Sequence, residues 1–75
     1  MKKQFIGFYR IGGYDYIVVD ETEDLCWRAM KREFFEWRKH NKKYFWESWM
    51  ESFDKAKEWF GWNVQELEKG KMIEH

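Results

Sequence analysis

The stretch Phe5-Ile6-Gly7-Phe8-Tyr9-Arg10-Ile11-Gly12-Gly13-Tyr14-Asp15-Tyr16-Ile17-Val18-Val19-Asp20 decides the fold. Two runs of β-branched and aromatic residues flank a Gly-Gly pair. A two-residue hairpin turn needs positive φ at both central positions, and glycine supplies it without strain. Residues 4–20 therefore predict an antiparallel β-hairpin. Placing Gly12-Gly13 in the loop sets Ile11 opposite Tyr14 and Arg10 opposite Asp15, a cross-strand pair of opposite charge. Phe8 then faces Ile17, Ile6 faces Val19 and Gly7 faces Val18. One face holds Ile6, Phe8, Ile17 and Val19, and its aliphatic character predicts the core side. The other holds Tyr9, Ile11, Tyr14 and Tyr16, whose phenol tips tolerate water.

Working outward, Asp20-Glu21-Thr22-Glu23-Asp24 carries the signature of a helix start. Asp20 or Thr22 can cap, and the acids favour the positive end of the helix dipole. No Gly or Pro interrupts the chain from there to Phe60. His40-Asn41-Lys42-Lys43 is the expected break, with Asn41 suited to a left-handed cap. This predicts helices over 22–40 and 43–60, packed as an antiparallel hairpin. The alternative is one continuous helix, which would leave much of its apolar stripe uncovered. Gly61 suits the end of the second helix, with Trp62 folding back on it. Asn63 and Glu66 have the spacing of a capping box, which predicts a short helix over 64–69 closed by Gly70. Residues 71–75 are expected to fray or to add a short strand. The expected fold class is α+β: an N-terminal antiparallel β-hairpin, a helical hairpin and a short C-terminal helix, in one domain spanning 1–75.

Composition bounds the function. The 75 residues include six Trp, seven Phe and four Tyr, and 14 basic residues balance 14 acidic ones. Zero net charge argues against a whole-molecule nucleic-acid binder and against an acidic mimic of DNA. No stretch approaches the length of a membrane span, and the short apolar run after Met1-Lys2-Lys3-Gln4 is interrupted by Arg10, unlike a secretory signal. Cys26 is the single cysteine, so no disulfide closes within the chain. A lone thiol fits a reducing, cytoplasmic setting and reads as a small buried apolar group. Thr22, Ser48, Ser52, His40 and His75 form no triad spacing, and no Cys/His spacing suggests zinc. Gly12-Gly13 belongs to no phosphate-loop motif. No catalytic residue, metal or cofactor is expected.

The helices carry the surface features. At 100° per residue, Cys26, Trp27, Met30, Phe34 and Trp37 form an inward stripe on the first helix. Arg28, Lys31, Arg32, Phe35, Arg38, Lys39 and Lys42 share the opposite arc, a basic stripe around one ring and a candidate partner-binding face. In the second helix Glu47, Glu51, Asp54 and Glu58 recur as an acidic outer stripe. Its apolar arc, Phe45, Trp46, Trp49, Met50, Phe53, Ala56, Trp59 and Phe60, with Tyr44 at the margin, spans more than one packing layer needs. Trp46, Trp59 and Tyr44 are the expected exposed anchors. Trp37 and Phe53 are the expected contacts between the helices. The two charged stripes predict a homodimer in which each stripe meets its complement.

These features point to a non-catalytic protein-binding module acting on a larger host protein. In size, charge density and aromatic content the chain resembles small phage-borne accessory proteins, including inhibitors of bacterial defence enzymes such as anti-CRISPR proteins. The resemblance is one of general character and implies a viral, anti-defence inhibitor or adaptor. It assigns no residue. The alternative function is nucleic-acid association, with bases stacking on Tyr9, Tyr14 and Tyr16 beside phosphate contacts from Arg28 and Lys31.

Overall fold

The computed structural model describes residues 3–68 and Gly70. Strands β1 (Gln4–Ile11) and β2 (Tyr14–Asp20) form the expected hairpin. Gly12 and Gly13 have φ of 62° and 83°, a turn whose twist matches that of the strands. The register follows the charge argument: Arg10 faces Asp15, with Nε and Oδ1 3.5 Å apart, and Phe8 faces Ile17. Helix α1 runs Glu23–Asn41, with the Thr22 hydroxyl accepting from the Leu25 amide at 3.1 Å. It ends where the break was expected, but Asn41 does not turn left-handed. Its side-chain amide instead donates to the Trp37 carbonyl at 2.8 Å.

Beyond α1 the structure departs from the sequence expectation. No helix spans 43–60, so there is no helical hairpin of that form. The chain turns after Asn41, runs through Phe45 to Glu47, makes a single 3-10 turn at Ser48–Glu51, and enters α2 only at Phe53–Phe60. Ser52 explains the restart. Its extended backbone and its hydroxyl, which accepts from the Lys55 amide at 3.1 Å, begin α2 afresh. Arg38 fixes the preceding turn against α1 by donating to the Met50 and Glu51 carbonyls at 3.2 and 3.3 Å. Gly61 closes α2 at φ 69°, as expected.

Where a helix was expected over 64–69, residues 64–67 lie in a strand; position 69 and the expectation for 71–75 fall outside the described residues. Segment β3 (Asn63–Leu67) pairs antiparallel with β1, giving the sheet order β2-β1-β3. The capping-box reading of Asn63 and Glu66 loses to a tertiary demand. Alternate N–H and C=O groups of β1 point away from β2 and need partners. Trp62 starts the docking: its indole N–H donates to the Arg10 carbonyl at 2.7 Å, and its ring stacks on Phe60.

The packed face of the sheet is the reverse of the one expected. Tyr9 and Ile11 are buried under α1 with Met30 and Phe34, and Gly7 and Val18 share that side. Ile17 and Val19, expected inside, are 64% and 50% exposed on the outer face, although Phe8 there is buried. Gly7 gives the physical reason. A methyl group at that position would lie 2.8 Å from the Met30 sulfur and 2.8 Å from Val18 Cγ1. The missing side chain is what lets α1 approach β1. Trp49, Met50, Ala56 and Trp62 complete the core.

Candidate functional site

The inward stripe of α1 is as expected: Cys26, Met30 and Phe34 are buried, while Trp27 and Trp37 pack at the margin of the core. Most of the predicted basic arc lies on the side of α1 turned from the sheet, but Arg32 lines the groove beside β2, and the members divide by what they touch. Arg28 pairs with Asp24 at 2.9 Å within the helix. Arg38 is half-buried, and its guanidinium lies 5.6 Å from the Phe34 ring centre and 4.8 Å from that of Phe35 while it holds the 3-10 turn. It is a structural clamp. Lys31 stands 6.0 Å over Phe35. Arg32, Lys39 and Lys42 are exposed. What remains as an open surface is Phe35 with Lys31, Lys39 and Lys42.

The three tyrosines form a ladder from core to edge. Tyr9 is buried against Trp62, with ring centres 4.6 Å apart, while Tyr16 and Tyr14 step outward at spacings of 5.8 and 6.5 Å. Among the described residues the Tyr9 hydroxyl has no hydrogen-bond partner. Burial, then the nearby Glu33 carboxylate and then Tyr16, push its ionisation far above the ordinary phenol range. Tyr9 and Tyr16 line a groove between β2 and α1, together with Met30, Arg32, Glu33 and Trp37. Arg28 and Lys31 do not line this groove; the basic residue that does is Arg32.

The predicted acidic stripe is not a stripe. Glu47 precedes the 3-10 turn and accepts from the Trp49 indole N–H, and Glu51 pairs with Lys55 at 2.8 Å. Only Asp54 and Glu58 lie on α2. The dimer expected from two opposed helical stripes loses its geometric basis here.

The aromatic anchors expected to be exposed are so. Tyr44 is 77% exposed and Trp59 68%, and Trp46 is open too. Phe45, assigned by periodicity to a packed helical arc, is instead exposed beside them and leans edge-on against Trp37 at 5.8 Å. Three consecutive rings thus leave the core on an irregular segment. Trp59 borders the Ser48 and Trp49 region into which that segment runs. The signal available in sequence was the run itself. Three adjacent large apolar residues cannot share one helix face.

For chemistry, the described residues contain no group of three His, Cys, Asp or Glu side chains able to hold a metal ion. Cys26 is fully buried and donates its thiol hydrogen to the Phe5 carbonyl at 3.5 Å. Burial raises its ionisation above the ordinary thiol value, so it is held as the weakly nucleophilic thiol. No described helix is long and apolar enough to cross a membrane. The geometry defines an α+β domain with a three-stranded sheet, one long helix and an aromatic protrusion. No protein-family model, no curated protein and no solved structure matches the chain.

Proposed function

We propose that this protein is a non-catalytic binding module that occupies the surface of a larger protein as an inhibitor or adaptor. The observation that carries the reading is the exposure of Tyr44, Phe45 and Trp46 in succession, with Trp59 nearby. Rings of this size gain most by being buried, and exposed clusters of them mark binding surfaces. A chain of 75 residues has little apolar area to spare, so leaving four large rings in water costs it core. The Phe45–Trp37 contact anchors the segment to α1, which lowers the entropy lost on binding. Phe35 with its lysine neighbours offers a second contact zone.

Within that class, a phage-borne, anti-defence inhibitor acting in the cytoplasm is the reading favoured by size, aromatic content and the free thiol. Nucleic-acid association draws less support, because Tyr9 is buried and Arg28 and Lys31 do not line the groove of Tyr9 and Tyr16, where Arg32 is the one basic side chain besides His40.

The test is partner capture from cells producing the tagged protein, wild type against the triple variant Tyr44→Ser, Trp46→Ser, Trp59→Ser. Each ring at such an interface is worth about 2 kcal/mol or more, so the variant is expected to lose the captured partner while keeping its melting temperature. Equal recovery of the same partner by both proteins would overturn the reading.

A further inference from the structure

Strand β2 is an edge. Among the described residues it pairs only with β1, over seven consecutive positions without a bulge. The two-residue turn fixes which of its backbone groups are used. Ile11 and Tyr14 flank the turn as a hydrogen-bonded pair, and bonded pairs recur at every second residue. Tyr14, Tyr16, Val18 and Asp20 therefore bond to β1. The N–H and C=O groups of Asp15, Ile17 and Val19 point outward along the free edge.

Natural edges are guarded by charged side chains, especially Lys, by Pro, by bulges or by short length. β2 has no Lys, Pro or bulge over its seven residues, and its only charges are Asp15 and Asp20. Its exposed side chains include Ile17 and Val19, side by side on the outer face.

We infer that the β2 edge receives the β2 edge of a second copy of this chain, antiparallel about a two-fold axis at Ile17, to give a continuous six-stranded sheet. Three observations select a second copy. The outward backbone groups at 15, 17 and 19 are symmetric about 17, so Ile17 pairs with Ile17 and Asp15 with Val19, forming about six inter-chain hydrogen bonds. That register uses the whole strand and sets no acid opposite an acid: Tyr14 meets Asp20 and Tyr16 meets Val18. A shift by one hydrogen-bonding step brings Asp15 opposite Glu21 in one direction or shortens the overlap in the other. Finally, the flank of α1 beside β2 carries both signs, with the Arg32 guanidinium against the Glu33 and Glu36 carboxylates. A surface of mixed sign is complementary to its own copy related by a two-fold axis. Pairing also brings Ile17 and Val19 of both chains side by side on the outer face, with an Asp15 at each end. This surface is separate from the aromatic segment, and the inference does not depend on a host partner.

The test uses the purified protein alone. Sedimentation equilibrium should show the mass rising from 9.5 kDa toward twice that value as concentration rises through the micromolar range. Amide exchange at Asp15, Ile17 and Val19 should slow in parallel, while amides of the aromatic segment stay unchanged. The decisive variant carries N-methyl-Ile17, made by chemical synthesis. It removes one outward N–H and leaves the side chain and the β1 pairing in place. Dimerisation should fall at least tenfold with the far-ultraviolet spectrum unchanged. Ile17→Lys gives a second, independent disruption at an exposed position. A single 9.5 kDa species at all concentrations would overturn the inference, and the edge would then be free for a strand of another protein. So would a dimer that survives N-methylation and is dissociated instead by Phe35→Glu.

Discussion

Gly7 shows how one residue sets the relation of sheet to helix. Its missing side chain lies between the Met30 sulfur and Val18, and Met30 is itself buried, so neither neighbour can move aside cheaply. Gly7→Ala is expected to destabilise the domain by about 1–3 kcal/mol, measured by urea unfolding, as overpacking of a close contact does. A change within the scatter of surface substitutions would mean that α1 does not sit against β1 at this point. Hydrophobicity alone did not reveal this side. Ile6, Phe8, Ile17 and Val19 are as apolar as Tyr9 and Ile11, and alternation says only that the two sets are on opposite faces. The glycine was the available clue, because a strand position without a side chain often marks a close approach. Tyr9 and Cys26 make a second residue-scale prediction. Both ionisations are raised in the folded state, chiefly by burial. The folded protein therefore holds these protons more tightly than the unfolded chain does. Their contribution to stability is fully present below the ordinary thiol and phenol values and is lost as pH rises through them toward the folded ones. Denaturation midpoints should fall on the alkaline side, and Tyr9→Phe should flatten that fall relative to wild type. An alkaline limb unchanged by Tyr9→Phe would place the phenol in water.

At the scale of elements, the hairpin and α1 were legible because their signals are local: a Gly-Gly turn, a cross-strand charge pair, a Thr cap and a 3.6-residue stripe. The elements between Lys42 and Leu67 were not, apart from Gly61, which closes α2 as expected. Periodicity favoured a long second helix because Ser52 carries no glycine or proline beside it, yet its cap at Lys55 ends one element and begins another. Residues 64–69 read as a short helix capped by Asn63 because the partner that makes Asn63–Leu67 a strand is β1, more than fifty residues earlier in the chain. Pairing partners that distant leave no local trace. Arg38 was assigned to a free basic stripe, but it holds the 3-10 turn through two carbonyls. Its replacement by Ala is expected to cost about 1.5–3 kcal/mol, the range for hydrogen bonds to a charged donor, and to loosen the Ser48–Glu51 turn. The measurement is urea unfolding together with amide exchange in that turn. If Arg38→Ala leaves both unchanged, the arginine belongs to the binding face after all. Ser52→Ala should cost about 1 kcal/mol by loss of the α2 cap.

At the scale of the whole molecule, the aromatic residues divide into two sets. One set is core: Phe34, Trp49 and Trp62, with Tyr9, close the space between sheet, α1 and α2. The other set, Tyr44, Phe45, Trp46 and Trp59, stands in water and is available to a partner. The sequence indicated the surplus and named three of its exposed members. It did not show Phe45 among them, because that depended on the irregular path after Asn41. The division can be read without any partner from the six indole N–H resonances in the presence of a soluble paramagnetic relaxation agent. Trp46 and Trp59 should broaden strongly. Trp62, bonded to the Arg10 carbonyl, and Trp49, bonded to Glu47, should stay sharp. Protection of Trp46 and Trp59 equal to that of Trp62 would make them core residues, contradict the division and leave the proposed interface without its anchors.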